Sequence, residues 1–454
     1  MLYRFRDIEK LVNEPYEELK KQYFYFASPD SLNDPLEGYV DFYWQGNKIA
    51  WLGLFKNYVW QVCFAFFKLY IGCTAQEIQN MYFSRSEIHM KDTDFLKIRS
   101  KLENDFANES MINEIASILG ESGREISQNE LQYVLLSIHG IAMFYANKTF
   151  ESICGNIFGT LKIFKKNESI KKEQKEKTID IIKKICAGNS DVGLLLTIIN
   201  NTRLTESIQT TSKEETQEKI EFMYFDFPNS YSKHVIDLAY QAWYTVCFNS
   251  SYEDPKMWSH YADNHKGVCM IFDFGDTGYV DLEPINSNLE EKKKHFAINS
   301  IDYNRKPSKV NFFETLGNLF GDEREHWFFH NGEKSSTLTT ILSDVEKWRT
   351  EYWSEFQKRF LRKSSAWASE QEKRIVLDDT FYDHTDVEQR KFKYEFEQLH
   401  GIIFGINTTL SNKQKIIRVL QEKRKEIHRK PIQIYQARFD EDKEKIQSDF
   451  LMEI

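Results

Sequence analysis

A short run of polar and aromatic residues is the strongest candidate for binding chemistry in this sequence. Its members are Trp258, Ser259, His260, Tyr261, Asp263, Asn264 and His265. After Gly267 the chain passes directly into the apolar run Val268–Phe272. Loops at the ends of buried strands often carry binding residues because the strands hold them rigidly. We interpret this run as one wall of a ligand pocket; the alternative interpretation is a well-satisfied turn.

Two glutamates form a second candidate, Glu370 and Glu372, at the start of a β-prone run. In a strand, residues two apart project to the same side. A carboxylate held in this way can stabilise a developing oxocarbenium ion or take a proton from a nucleophile, and cleavage of a glycosidic bond requires both. The alternative interpretation is a surface ion pair between Glu370 and Arg374, which would contribute little to stability.

A third candidate lies near the N-terminus, where Arg4 stands between Tyr3 and Phe5. The guanidinium group of an arginine can hold a phosphate or a carboxylate with two hydrogen bonds, while a neighbouring ring stacks on a base or on nicotinamide. The alternative interpretation is a surface arginine beside a core phenylalanine.

The segment of residues 27–37 is typical of a tight turn. The side chains of Asn33 and Asp34 can hydrogen-bond to their own backbone, and Pro35 fixes the direction of the chain. This structural interpretation is the simpler one. In the functional interpretation the turn, which Ser28 precedes, covers a ligand pocket.

A metal site is not predicted. The conceivable ligands are His260, His265 and Cys269, but the two histidines are five positions apart and do not share a helix face. Neither an HExxH nor a CxxC pattern is present to support such a site.

The composition is that of a soluble globular protein. The chain has 454 residues, of which 41% are hydrophobic and 28% are charged, enough for more than one domain. A net charge of -9 argues against strong non-specific binding to nucleic acid.

Six cysteines without a CxxC spacing are typical of reduced cytoplasmic thiols. The N-terminus has no apolar signal sequence, and polar residues interrupt the apolar stretch 51–73, so we expect a cytoplasmic protein without a membrane span.

The sequence divides into three blocks. Residues 1–49 contain strands, turns and an amphipathic helix. Residues 50–242 repeat apolar residues at helical spacing and contain no proline from residue 50 to residue 226. Residues 243–454 return to mixed strands and helices. We predict an α+β protein with a small mixed or antiparallel sheet built from both chain ends, and with residues 50–242 as a large inserted helical subdomain.

Several individual elements follow from periodicity and turn residues. Strands are predicted at residues 2–5, 23–27, 245–248, 268–272, 374–377, 401–405, 432–439 and 450–454. Helices are predicted at residues 8–21, 51–73, 343–360 and 411–426.

Taken together, several motifs resemble the bacterial family called domain of unknown function 2971. They are LYRF from Leu2, YFYFASPDSLNDPLE from Tyr23, VCFNSS from Val246, MWSHYADNHKGVCMIFD from Met257 and WASEQEKRIVL from Trp367. The segments GIIFG and IQIYQARF near the C-terminus are also similar. The resemblance covers both ends of the chain and skips the helical middle.

The order of these motifs is similar to that of ADP-ribosyltransferase-like folds. The resemblance implies that Arg4 contacts the pyrophosphate of NAD and that Glu372 is the catalytic carboxylate. It also implies that His260 or Tyr261 lies beside the nicotinamide or the ribose. The remaining residues expected to line the cofactor site are Tyr3, Ser28, Asn33, Asp34, Trp258 and Glu370.

We therefore expect an NAD-using ADP-ribosyltransferase or NAD glycohydrolase, in which Arg4, Tyr261 and Glu372 converge in one cleft. ADP-ribose would go to an unknown macromolecule or to water. In a bacterium such an activity would fit a toxin or an anti-phage effector, with the helical insertion as a surface for a protein partner. One alternative is a non-catalytic module that binds a nucleotide or a peptide. Another is a nucleic-acid-directed effector, suggested by the basic residues at 413–430.

Overall fold

A computed structural model describes residues 1–79, 93–155, 172–188, 201, 205, 218–219, 221–286, 293–315, 319, 323–379, 384–426 and 431–454. Its strands are β1 Leu2–Arg6, β2 Tyr23–Tyr25, β3 Asp41–Trp44, β4 Ile126–Ser127, β5 Ala242–Asn249, β6 Val268–Phe272, β7 Tyr279–Pro284, β8 Lys294–Ser300, β9 Lys309–Asn311, β10 Phe329–His330, β11 Glu333–Lys334, β12 Glu372–Asp379, β13 Lys391–Lys393, β14 Leu399–Phe404, β15 Gln433–Asp440 and β16 Lys445–Glu453.

The α-helices of the described residues are α1 Ile8–Val12, α2 Glu18–Lys21, α3 Lys48–Tyr70, α4 Ala75–Gln79, α5 Thr93–Ala107, α6 Ser110–Ser122, α7 Gln128–Cys154, α8 Lys172–Cys186, α9 Phe227–His234, α10 Pro255–Tyr261, α11 Glu323–Phe328, α12 Ser336–Ser343, α13 Val345–Phe360 and α14 Leu410–Glu426. A 3₁₀ helix, Ser365–Glu370, leads into β12.

The chain forms two compact units. The sheet unit contains Met1–Tyr39, Gln241–Ser308 and Glu355–Ile454, and the helical unit contains Val40–Tyr240 and Lys309–Ser354. The predicted block boundaries lay near residues 49 and 242. The prediction places the segment Lys309–Ser354 in the C-terminal part of the α+β domain, whereas in the structure it belongs to the helical unit. It lies in the helical unit because β9 pairs with β3 and α11 packs against α3.

The fold class is α+β, as predicted, and the main sheet is built from both ends of the chain. In the described residues this sheet has eleven strands in the order β16-β15-β14-β6-β1-β5-β12-β8-β7-β13-β2, so it is larger than the small sheet we predicted. It is mixed, because β14 and β15 are parallel while β1, β5 and β12 pair antiparallel. An isolated bridge between Ala27 and Thr245 joins the chain after β2 back to β5.

The two faces of this sheet have different chemistry, because successive side chains of a strand point to opposite sides. One face carries an apolar cluster that includes Phe24, Val246, Phe248, Met270 and Ile375. The other face carries the side chains of alternate residues on the same strands, and it is there that buried charged groups collect along β12.

In the helical unit, the predicted helix at residues 51–73 is observed as α3, which is buried along most of its length. It packs against α5, α6, α7 and α11. Short sheets of β4-β3-β9 and β10-β11 accompany the helices. None of the helices in the described residues has the length and apolar character that crossing a membrane requires.

Most of the predicted elements lie within a residue or two of the observed ones. The strand at Val268–Phe272 has the predicted bounds. The predicted single helix at residues 8–21 is wrong, since Pro15 lies between the short helices α1 and α2. A proline inside a helix removes a backbone hydrogen bond and clashes with the preceding turn.

We expect Gly267→Ala to lower the free energy of unfolding by about 1–3 kcal/mol, as overpacking does. A Cβ at this position would lie 2.2 Å from the carbonyl oxygen of Arg6 on β1, so the strand would have to move. Urea unfolding of the purified chain measures the effect. The control is Gly140→Ala, an exposed position in α7 where a Cβ meets no atom within 4 Å and where alanine favours the helix. Equal stability of Gly267→Ala and the unsubstituted chain would contradict the close approach.

Candidate active site

A cluster of polar side chains, most of them buried, lies on one face of β12 in the sheet unit. Its members are Glu37, Tyr261, Lys363, Glu370, Glu372 and Arg374, and we call it the glutamate cluster. These residues come from the turn after β2, the end of α10, the segment after α13, the 3₁₀ helix and β12 itself. The fold therefore brings together segments from three of the motifs that sequence analysis singled out, and Lys363 lies just before one of them.

Arg374 is the centre of the glutamate cluster. Its side chain is fully buried and donates to both carboxylate oxygens of Glu37, to both carboxylate oxygens of Glu372 and to the carbonyl oxygen of Phe360. These five bonds use all five N–H donors of the guanidinium group. The bond from Nη2 to Glu372 is 3.1 Å long, and the bond to Phe360 is 2.9 Å long. The alternative interpretation, a surface pair between Glu370 and Arg374, is wrong, since Arg374 is buried and pairs with other carboxylates.

Lys363 connects the two candidate glutamates. Its Nζ donates to Oε2 of Glu372 at 3.0 Å and also to Oε2 of Glu370. Both carboxylates and the ammonium group are buried. The two glutamates thus face the same side, as predicted, although Glu370 ends the 3₁₀ helix and only Glu372 lies in the strand.

Tyr261 completes this arrangement. Its hydroxyl donates to Oε1 of Glu370 at 2.7 Å. Burial raises the pKa of Tyr261, so the phenol keeps its proton at neutral pH and acts as a donor. The carboxylate of Glu370 therefore accepts hydrogen bonds at both oxygens, one from the phenol and one from Lys363.

The two glutamates differ in their affinity for protons. Burial raises the pKa of Glu370 above its ordinary value, although Lys363 and Tyr261 act against this. Burial would also raise the pKa of Glu372, but Arg374 and Lys363 outweigh it and lower that pKa to about 2. Neighbouring carboxylates whose pKa values are pushed apart are typical of acid and base pairs in enzymes.

The turn at residues 33–37 places Glu37 beside Arg374. Oδ1 of Asp34 accepts from the backbone N–H of Leu36 at 3.0 Å, and Oδ2 accepts from the N–H of Ser364 at 2.8 Å. Asp34 is buried, and its side chain binds the backbone of its own turn, as the structural interpretation predicts. Asn33 is exposed, and the carbonyl of Ser28 accepts bonds from Ser31 within the turn.

Trp258, which was expected to line the cofactor site, has no exposed surface. It lies in α10, is fully buried, and donates through its indole N–H to the carbonyl of Tyr252 at 2.7 Å. Its ring packs edge-on against Phe5, with centroids 5.1 Å apart, and stacks with His265. Trp258 is a core residue because the apolar side chains of β1 and β6 enclose it.

His260 is the exposed neighbour of the cluster. Its ring centroid lies 6.1 Å from that of Trp367, which is half-buried on the 3₁₀ helix. Nζ of Lys363 lies 5.1 Å from the centre of the Trp367 ring. His260 and Trp367 therefore form an aromatic rim close to the buried ammonium group.

Arg4 lies on the opposite face of the sheet from Glu372, so the prediction that Arg4, Tyr261 and Glu372 share a cleft is wrong for Arg4. Tyr3 pairs with Asn249, and Asn249 pairs with Glu372, which puts these three side chains on one face. Arg4 follows Tyr3 in the strand and points to the other face, where its guanidinium lies over the ring of Phe24. The sequence alone did not show which alternate residues of β1 lie on the same face of the sheet as Glu372.

Tyr3 lies on the face of the glutamate cluster. Its ring centroid is 5.2 Å from that of Tyr252, and both rings pack against the apolar group that holds Trp258. Burial raises the pKa of Tyr3. A contact between Tyr3 and a cofactor remains a prediction.

Glu37, Lys363 and Arg374 are the cluster residues that sequence analysis missed as site residues. Glu372 and Arg374 are two positions apart in β12 and therefore share a face, and this spacing was the available signal for Arg374. Glu37 is the last residue of the second motif in the family resemblance. Lys363 carries no local pattern, since only the fold brings it to the two glutamates.

A cavity of about 510 Å³ adjoins the cluster on the same sheet face. Val376 and Asp378, which follow Arg374 on this face of β12, line it together with Asn299 from β8 and with Gln357 and Phe360 from α13. A cavity of this size is typical of small-molecule sites. The carbonyl of Phe360 binds Arg374, so the wall of the cavity and the cluster are directly connected.

The described residues contain no group of three or more His, Cys, Asp or Glu side chains that could hold a metal ion. The predicted basic segment at 413–430 lies in α14 up to Glu426, and residues 427–430 are outside the described residues. Its role in nucleic-acid binding stays a prediction.

One part of the chain matches the model of a known protein family. Residues 257–375 match the sequence model of the family described as Protein of unknown function (DUF2971), which confirms the resemblance that the motifs predicted. The matched residues include Tyr261, Lys363, Glu370, Glu372 and Arg374. Searches of curated proteins and of solved structures gave no match to this chain.

We expect Glu372→Gln to lower the free energy of unfolding by about 3–5 kcal/mol, because it removes one partner of a buried ion pair and leaves the charge of Arg374 incompletely balanced. Chemical denaturation measures this loss. The control is the adjacent residue, Lys373. Its side chain projects to the other side of the sheet and donates a hydrogen bond to Ser300 at the surface. Lys373→Gln should change stability by no more than about 0.5 kcal/mol. Similar effects of the two substitutions would contradict the central position of Glu372.

The pKa of Glu372 also predicts how stability depends on pH. Because the folded state lowers this pKa to about 2, its contribution is fully present above the ordinary value of 4.5 and is lost as the pH falls toward 2. Glu372→Gln should flatten this part of the stability curve. Denaturation midpoints measured across this range test the idea, and a curve of unchanged slope would argue against an ionised, paired Glu372.

Proposed function

We propose that the chain cleaves the nicotinamide glycosidic bond of NAD, as an NAD glycohydrolase or an ADP-ribosyltransferase. The observation that carries this proposal is that Glu370 and Glu372 both bind the ammonium group of Lys363, while the hydroxyl of Tyr261 donates to Glu370. Two buried carboxylates with opposite pKa shifts supply the two functions that such a cleavage requires.

The two glutamates take different parts in this reaction. Glu372 stays ionised and supplies fixed negative charge toward the oxocarbenium-like carbon that forms when the C1′–N bond breaks. The bonding electron pair leaves with nicotinamide, which becomes neutral. The oxygen of water, or of a macromolecular acceptor, then bonds to C1′. Glu370, whose pKa burial raises, takes the proton that this oxygen releases.

The surroundings of the cluster supply a place for the rest of the substrate. The adjoining cavity has room for one part of a nucleotide, and the exposed rim of His260 and Trp367 offers aromatic faces beside Lys363. Arg4 has no part in this proposal, since it lies on the other face. A toxin or anti-phage role, with the helical unit as a surface for a protein partner, would be consistent with this activity.

One observation favours a second candidate, a non-catalytic module that binds a nucleotide. Both oxygens of Glu372 are already bonded to Arg374, and one of them also to Lys363. A carboxylate held in this way stabilises a pocket without taking part in a reaction. NAD would then raise the melting temperature of the protein but would not be consumed.

We expect the unsubstituted protein to release nicotinamide from NAD, and Glu370→Gln to lower this rate by about 10²–10⁴-fold because the proton acceptor is lost. Chromatography of the reaction mixture measures released nicotinamide. Glu370→Gln retains the Arg374 pairs, so its melting temperature should fall less than that of Glu372→Gln.

The matched control is Glu388→Gln, which changes an exposed glutamate of the same unit that pairs with Lys391. It should release nicotinamide at the unsubstituted rate. Equal rates in Glu370→Gln and Glu388→Gln would remove Glu370 from the mechanism. Stabilisation by NAD without any nicotinamide release would favour the binding module instead.

A further inference from the structure

Two arginines share one face of β1, but the structure gives them one carboxylate. Arg4 and Arg6 are two positions apart in the strand and project to the same side. Arg6 donates through Nε to Oε2 of Glu18 at 2.7 Å and through Nη2 to Oε1. This two-point pairing occupies both oxygens of Glu18. Among the described residues, one of these two positive charges is therefore left without a direct partner.

That charge is on Arg4. Arg4 is only 8% exposed, and among the described residues its side chain has neither a hydrogen bond nor an ion pair. Its guanidinium lies over the ring of Phe24, with 5.0 Å from the guanidinium carbon to the ring centre. Burial, together with the nearby charge of Arg6, lowers the pKa of Arg4 to about 10, so the group remains protonated at neutral pH.

A buried and unpaired guanidinium is unfavourable, since it has lost water without gaining other acceptors. A cation–π contact with phenylalanine recovers a small part of that loss. An anion with two oxygens would recover much more, because it can accept two parallel N–H bonds from the fork of the guanidinium group. The small exposed fraction of Arg4 favours a small anion over a bulky one.

We propose that Arg4 anchors a site for a small oxyanion, a phosphate or a carboxylate, on the sheet face opposite to the glutamate cluster. The site is independent of the proposed reaction with NAD, because the sheet separates Arg4 from Glu370 and Glu372. An anion bound there would neutralise the charge beside the Arg6–Glu18 pair and stabilise the first strand of the sheet.

Thermal unfolding of the full chain in different sodium salts at equal ionic strength and neutral pH tests the proposal. Relative to chloride, saturating phosphate should raise the melting temperature by about 2 °C or more, because it binds the folded state alone. Arg4→Met should show no such rise. Arg438→Gln changes an exposed arginine that pairs with Asp449, and it should keep the full rise. A parallel series in acetate separates the two ligands, since a rise in acetate alone would assign the site to a carboxylate.

Two results would overturn the site: no rise of the unsubstituted protein in either anion, or an equal rise in Arg4→Met, which would place the effect elsewhere. If Arg4→Met does not fold, Arg4→Lys replaces it in the comparison. Lysine keeps the charge but lacks the planar fork, so its rise should be smaller than that of the unsubstituted protein. A full rise in Arg4→Lys would also contradict two-point recognition by the guanidinium group.

Discussion

The sheet unit depends on the buried guanidinium of Arg374. A fully buried charge must be paired, and all five N–H groups of Arg374 have acceptors, on Glu37, Glu372 and the backbone of Phe360. The pair with Glu37 joins residues 337 positions apart in the sequence. This interaction fixes the N-terminal turn against β12. It also holds Glu372 in the position from which it binds Lys363, and so determines where Glu370 and Tyr261 meet.

The strand pairing separates two charged regions. Along β1, β5 and β12, one set of alternate side chains forms the glutamate cluster, and the other set forms the apolar face that surrounds Arg4. In the first region, hydrogen bonds join two cations, three carboxylates and a phenol that donates to one of them. In the second, Arg4 has neither a hydrogen bond nor an ion pair among the described residues. The same physical requirement, that buried charge be compensated, thus accounts for a closed network on one face and indicates an anion on the other.

The sequence predicted the local parts of this arrangement. Alternation and apolar runs located strands such as Val268–Phe272, and the motifs placed Tyr261, Glu370 and Glu372 in one site. It did not predict the face to which Arg4 points, because a shift of one residue in strand pairing reverses every side chain. Lys363 and the burial of Trp258 were missed for a related reason, since both follow from contacts between distant segments that no local pattern records.

A crystal structure of the protein with ADP-ribose, the product of the proposed cleavage, would test the central claim most directly. The account predicts that the ribose carbon released from nicotinamide lies beside Glu370 and Tyr261, with Arg374 still bound to Glu37 and Glu372. An ADP-ribose molecule bound on another surface, or a structure in which Glu370, Glu372 and Lys363 lie apart, would contradict it.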